Sequence, residues 1–114
     1  MDPDYVPDAG DLIWIEFDPT KGREQAGHRP ALVISAVDFS EMTGFVVVCP
    51  ITCRMRPFPT SVVLPPGLPI AGEILLSHMC SIDTRARPVV FAGGRIDQAT
   101  AAEVRAKLTA FITI

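Results

Sequence analysis

Two stretches of the chain carry side chains able to act on an anionic substrate. The first is Phe17–Pro30, F-D-P-T-K-G-R-E-Q-A-G-H-R-P, a polar run between the apolar segments Leu12–Phe17 and Ala31–Ser35. Connections in compact domains are usually about four to six residues long, and longer ones are usually functional or disordered. This one holds Lys21, Arg23 and Glu24 and ends in His28-Arg29, where a strand begins. A cation fixed at the mouth of a sheet is well placed to hold a phosphate. The second stretch, Ile51–Pro59, carries Thr52, Arg54 and Arg56, and a third basic pair, Arg85 and Arg87, lies further on. Arginine offers a planar, bidentate clamp for phosphate oxygens. A threonine hydroxyl can donate one more hydrogen bond to the same group.

Missing motifs narrow the chemistry. There is no Walker loop, no G-x-G-x-x-G, no H-E-x-x-H and no G-x-S-x-G. The two histidines, His28 and His78, are too few for a multi-His metal site. Metal-free, cofactor-free chemistry on an anion remains, and RNA strand cleavage fits the parts. It needs a group to deprotonate the 2′-OH, donors for the crowded phosphorane and an acid for the leaving 5′-oxygen. The 2′-OH is the nucleophile, so the protein need not supply one.

The chain has 114 residues, 48% of them hydrophobic, and a mean hydropathy of +0.32. One globular domain spanning residues 1–114 is expected. No apolar run approaches the roughly 18 residues that span a bilayer. Met1-Asp2-Pro3-Asp4-Tyr5 does not open a signal peptide, so cytoplasmic residence is the expectation. Cys49, Cys53 and Cys80 are odd in number and imply no disulfide framework. Cys49-x-x-x-Cys53 has no second ligand pair with matching spacing, so buried thiols are expected rather than zinc ligands. The net charge is -3 and the pI about 5.2, against binding driven by overall positive charge. Acids crowd the N-terminal third. If the three basic clusters converge, they form a positive groove on an acidic body.

Elements able to position these residues can be read in order. Leu12–Phe17 reads as a strand stopped by Asp18-Pro19, and Ala31–Ser35 as a strand buried on both faces. Ala36–Thr43 has room for one short helical turn closed by Gly44. Phe45–Cys49 is a third strand ended by Pro50, and Thr60–Leu64 a fourth. Gly72–Ile82 reads as one fifth strand, and Val89–Ala92 as a short sixth. The C-terminus is the one clear helix. Thr100-Ala101-Ala102-Glu103 reads as its capping box, and Val104, Leu108, Phe111 and Ile112 as the face that packs on the sheet. Many short strands without regular strand–helix alternation predict a mainly β fold. A small, strongly bent antiparallel barrel with a capping helix is the economical form.

The run Gly10–Gly22 (G-D-L-I-W-I-E-F-D-P-T-K-G), continuing through Glu24-Gln25-Ala26-Gly27-His28-Arg29-Pro30-Ala31, strongly resembles the MazF/PemK toxins of bacterial toxin–antitoxin systems. The resemblance extends to Pro50-x-Thr52, Val62-Val63-Leu64, Ser81-Ile82, Arg85-Ala86-Arg87 and the terminal helix. It implies an SH3-like, MazF/PemK/CcdB-like barrel that forms a homodimer. It also implies a metal-independent endoribonuclease that cuts single-stranded RNA, usually mRNA, at short motifs and arrests growth. Products would carry 2′,3′-cyclic phosphate and 5′-OH ends. A MazE-like antitoxin with an acidic tail would bind across the dimer and block the groove, giving a toxin–antitoxin hetero-oligomer. By resemblance Arg29 matches the catalytic arginine and Thr52 the catalytic threonine. Glu24 and His28 match loop positions tied to RNA binding or turnover, and Lys21, Arg54, His78 and Arg87 are further RNA-binding candidates. Many relatives carry an acid after the fifth-strand apolar run, whereas this chain reads Leu76-Ser77-His78-Met79. Arg29, with His78 as a further candidate, is left to handle protons.

Each residue also has a purely structural reading. Arg29 could pair with Glu16 or Asp18, and Thr52 could satisfy loop N–H groups. His78 could be structural, and Trp14 could be core or dimer interface rather than a base-stacking platform. A non-enzymatic toxin of the same fold, poisoning a protein such as DNA gyrase, is the alternative function. The Arg29–Thr52 combination separates the two, since a pure binder has no need of it. Lys21–Gly27 is expected to be mobile without ligand.

Overall fold

The computed structural model describes residues 4–16, 28–54 and 58–114. Among these residues the frame is seven strands and two helices. In chain order these are β1 (Asp11–Glu16), β2 (His28–Val33), α1 (Val37–Thr43), β3 (Phe45–Thr52), β4 (Ser61–Val63), β5 (Glu73–Leu75), β6 (Cys80–Asp83), β7 (Val89–Arg95) and α2 (Gln98–Phe111). A 3₁₀ turn, Leu76–His78, separates β5 from β6. The strands form one antiparallel sheet in the order β4-β5-β3-β2-β1-β7, with β6 also on β3.

Alternation along the central strands builds two cores, one on each face. Leu12, Leu32, Cys49, Ile51, Val62, Ile74, Leu76 and Val104 make one. Ile13, Ile15, Ala31, Val33, Val46, Val48 and Ile82 make the other. Successive strand residues point to opposite faces, so Leu12-Ile13 and Ala31-Leu32 each feed both cores. Tyr5 and Val89 pack against the second cluster. The result is the expected bent, barrel-like antiparallel fold with a C-terminal helix, although the sheet does not close.

Three expected boundaries shift for identifiable reasons. Pro50 does not end β3, which runs on to Thr52. On one edge β3 pairs β6 as far as Val48 and β5 from Ile51 onward. Pro50 falls in the gap between partners, where a missing N–H is tolerated. The single fifth strand is broken: β5 and β6 both flank β3, and the 3₁₀ turn takes up the change of register between them. The last strand continues to Arg95, with a register shift between Asp11 and Ile13 opposite Gly93, whose φ is 95°.

The terminal helix begins earlier than the Thr100 capping box. Asp97 is the N-cap, its Oδ1 accepting from the Thr100 N–H at 3.3 Å. Thr100 is thus the third helical residue and buried, and Glu103 pairs with Lys107 at 3.2 Å instead. Only the first half of the predicted stripe packs. Val104 is buried and Leu108 lies against the first core, while Phe111 and Ile112 are exposed and Ile112 lies beyond the helix. Lys107 Nζ also donates to the Ser61 carbonyl at 2.7 Å, which covers part of the edge strand β4. Among the described residues no helix is long and apolar enough to cross a membrane.

Candidate functional site

Arg29 and Thr52 are brought together by the β2–β3 ladder. That ladder pairs Ala31 with Pro50, Leu32 with Cys49 and Val33 with Val48. Arg29 stands two residues beyond its Ala31 end on β2, and Thr52 two residues beyond its Pro50 end on β3. Period-two alternation then sets both side chains on the face of Ala31 and Pro50. A guanidinium and a hydroxyl thus share one face and one end of two neighbouring strands. Arg29 is exposed and Thr52 half-buried. Thr52 Oγ1 accepts from the Arg54 N–H at 3.1 Å. That bond fixes the start of the second loop and leaves the hydroxyl proton free to donate.

His28 takes the other face. It is paired with Glu16, and its Nε2 lies 3.8 Å from the Glu16 carboxylate. Its ring centroid is 6.3 Å from that of Trp14, and Trp14 itself packs on the first core. The two neighbours His28 and Arg29 therefore serve different surfaces of β2.

The other candidates spread around this centre. Arg54 is exposed directly after Thr52. Arg87 is exposed in the turn before β7, across β1 from Arg29, because Ile15 pairs with Arg29 on one side and Val89 on the other. Arg85 does not join them: its Nε lies 3.7 Å from Asp83 and its guanidinium sits beside Gly44. His78 is exposed, on the 3₁₀ turn rather than on a strand. Lys21, Glu24, Arg56 and the expected mobility of Lys21–Gly27 lie outside the described residues.

One polar group near Thr52 escapes the motif-based reading. Glu73 is paired with Thr52 across the β3–β5 ladder, has no exposed surface, and accepts from the Ser61 hydroxyl. A lone acid inside G-E-I-L-L is the sequence signal that could have found it. Just before it, Gly72 has φ 139°, and a Cβ there would collide with the Thr52 carbonyl oxygen. Only glycine lets β5 approach the Thr52 backbone so closely.

Among the described residues no cluster of three or more His, Cys, Asp or Glu side chains is placed to share a metal ion. The thiols differ from expectation. Cys49 is buried, but Cys53 and Cys80 are exposed, because Cys53 follows the end of β3 and Cys80 opens β6 after the turn. Burial, with a smaller effect from Cys80, pushes the Cys49 thiol up to about 12. A cleft of about 400 Å³ lies under α2, between Gly10, Leu32, Arg95 and Leu108, and no candidate residue lines it.

The chain is similar in sequence and fold to known proteins. The Escherichia coli K12 endoribonuclease toxin MazF is 49% identical over 83 residues, which is 73% of this chain and 74% of that protein. A MazE–MazF crystal structure from Deinococcus radiodurans superposes with a TM-score of 0.84 at 37% identity, covering 97% of this chain and 99% of the other. MazF alone from the same organism gives 0.82 at 40% identity, covering 97% and 100%. Residues 8–112 match the family of PemK-like, MazF-like toxins of type II toxin–antitoxin systems. With that match over most of its length, the chain belongs to this toxin family.

Proposed function

We propose that this chain is the endoribonuclease toxin of a type II toxin–antitoxin pair, cutting single-stranded RNA without a metal ion. One observation carries the reading: Arg29 and Thr52 lie on the same face and at the same end of two adjacent strands. There a guanidinium can clamp the non-bridging oxygens of a phosphodiester while the threonine hydroxyl donates to the same group. The substrate's 2′-oxygen attacks phosphorus, the bond to the 5′-oxygen breaks, and the proton lost from the 2′-OH is balanced by one delivered to that 5′-oxygen. The products are a 2′,3′-cyclic phosphate and a 5′-OH. Arg54 and Arg87 hold the flanking RNA, with His28, His78, Lys21 and Glu24 as further RNA-binding residues.

Residues 1–114 act as a single domain in the cytoplasm, where mRNA is the substrate and growth arrest the result. The active form is a homodimer. The exposed apolar side chains Phe39 and Met42 on α1 and Phe45 at the start of β3 favour burial against another chain. A MazE-like antitoxin with an acidic segment would neutralise the arginines and block the groove.

Purified protein in EDTA should cut a single-stranded RNA and leave 5′-OH ends. A 2′-deoxy sugar at the cut site should abolish cleavage. Arg29→Ala and Thr52→Val should each slow it by about 10²–10³, the usual effect of removing one donor to developing charge. Full activity in Arg29→Ala would refute the assignment.

A further inference from the structure

Among the described residues Glu73 is the one carboxylate with no exposed surface. It interrupts an otherwise apolar run, Glu73-Ile74-Leu75-Leu76. A buried carboxylate is costly unless it is hydrogen-bonded, and an apolar residue of similar size would serve stability as well or better. Its neighbours across the sheet are Thr52 on β3 and Val63 on β4, and directly paired residues share a face. Thr52 is half-buried and Val63 exposed. The carboxylate is therefore closed off on a face that is open to solvent on either side of it, and that face carries the Thr52 hydroxyl.

Glu73 reaches both ends of the second loop. The β3–β5 ladder has two pairs, Ile51 with Ile74 and Thr52 with Glu73, so Thr52 stands on its last rung. Gly72 brings the β5 backbone against the Thr52 carbonyl, and its own carbonyl accepts from the Leu64 N–H at 2.9 Å. At the far end of the loop, the Ser61 hydroxyl lies against the Glu73 carboxylate and the Phe58 carbonyl, and its oxygen accepts from the Phe58 N–H at 3.0 Å. The carboxylate thus fastens β5 to the start of β4 directly beside the rung that holds Thr52.

We propose that Glu73 is a positioning residue for RNA cleavage: held by the Ser61 hydroxyl, it fixes the last rung between β3 and β5 and so aims the Thr52 hydroxyl before RNA arrives. It touches no substrate atom and acts through Thr52. A hydrogen-bonded carboxylate sets direction as well as distance, which an apolar side chain at the same place would not. A donor aimed in advance costs no reorganisation when charge develops on the phosphate. This rests on the endoribonuclease reading and adds a group that aims one of its two central side chains.

Cleavage of a single-stranded RNA in EDTA is measured for wild type, Glu73→Met, Glu73→Gln and Ser61→Ala, each alone and combined with Thr52→Val. Methionine keeps an unbranched side chain of similar length and cannot accept from Ser61. Glu73→Met should lower kcat about 10- to 100-fold, the scale of a small misplacement at a reacting centre, and leave KM within about threefold. Glu73→Gln still offers an oxygen to Ser61 and should recover most of the rate. Ser61→Ala should lower kcat in the same direction, which decides the matter if Glu73→Met does not fold. With Thr52→Val there is no hydroxyl to aim, so neither Glu73→Met nor Ser61→Ala should slow the reaction further. Wild-type kcat in Glu73→Met or in Ser61→Ala overturns the role, as does an equal fractional loss with and without the Thr52 hydroxyl. A wild-type protein that does not cut RNA overturns the endoribonuclease reading and this role with it.

Discussion

Glu73 faces Thr52 across the β3–β5 ladder, fully buried, with its carboxylate accepting from the Ser61 hydroxyl. Buried acids persist only where they are hydrogen-bonded, and this one joins three strands: β3 through Thr52, β4 through Ser61, and its own β5. Glu73→Ala removes the hydrogen bond from the Ser61 hydroxyl, which keeps the Phe58 carbonyl as its acceptor, and should destabilise the fold by about 1 kcal/mol. Urea unfolding of Glu73→Ala, Ser61→Ala and the double variant should give a coupling of about 0.5–3 kcal/mol. Strict additivity would mean that the two side chains do not support one another.

Tyr5 should make stability fall at alkaline pH. Its hydroxyl donates to Asp11 Oδ2 at 2.7 Å, and Asp11 Oδ1 accepts from Arg95 at 2.8 Å. Burial, then the hydrogen bond to Asp11, holds the phenol far above its ordinary value of 10.0. In the unfolded chain Tyr5 loses its proton near that ordinary value, while in the folded chain it keeps it. The stabilisation is thus fully present below the unfolded pKa and is lost as pH rises from there towards the folded one. Tyr5→Phe should flatten the alkaline arm of a plot of stability against pH and lower stability at neutral pH by about 1 kcal/mol.

Thiol labelling should separate the cysteines. Cys53 and Cys80 are exposed and Cys49 is buried, its thiol held up to about 12. An alkylating reagent at neutral pH should modify two sites on the native protein and reach Cys49 only in denaturant, as read by intact mass. Three fast modifications would show that β3 opens readily.

Asp97 should govern the start of α2. The Thr100 hydrogen bond holds its carboxyl below the usual value, so its contribution is present above the unfolded carboxylate pKa and is lost as pH falls through the folded one. Asp97→Asn should keep the cap and lose this acid dependence. Asp97→Ala should lower the melting temperature at neutral pH. Thr100→Ala should weaken the acid dependence, since the Thr100 side chain contributes most to holding the carboxyl down, and should leave the smaller part carried by the Thr100 backbone N–H.

Much of the frame is legible in residue order because period-two alternation is a local property. Leu12-Ile13 and Ala31-Leu32-Val33 declare strands buried on both faces, and both runs fall within β1 and β2, although β2 runs from His28 to Val33 rather than from Ala31 to Ser35. Errors gather where pairing overrules local signals. Pro50 is a strand breaker by type, yet β3 continues through it because its position lies between two edge partners. Thr100-x-x-Glu103 has the form of a capping box, but Asp97 supplies the cap three residues earlier.

The sequence by itself determined which chemistry was available. Two arginine-bearing loops, one threonine after a strand, two histidines and no nucleotide or protease motif point to metal-free work on a phosphate. Residue type decides charge and hydrogen-bonding capacity, and neither needs a fold to be read. Tertiary structure decided which groups meet. Arg29 and Thr52 lie 23 positions apart in the chain, and only the β2–β3 register sets them on one face. His28, the immediate neighbour of Arg29, is turned to the opposite face beside Glu16. Strand pairing is a long-range choice in which a one-residue slip would send every side chain to the other face, so the composition of the site is local and its assembly is not.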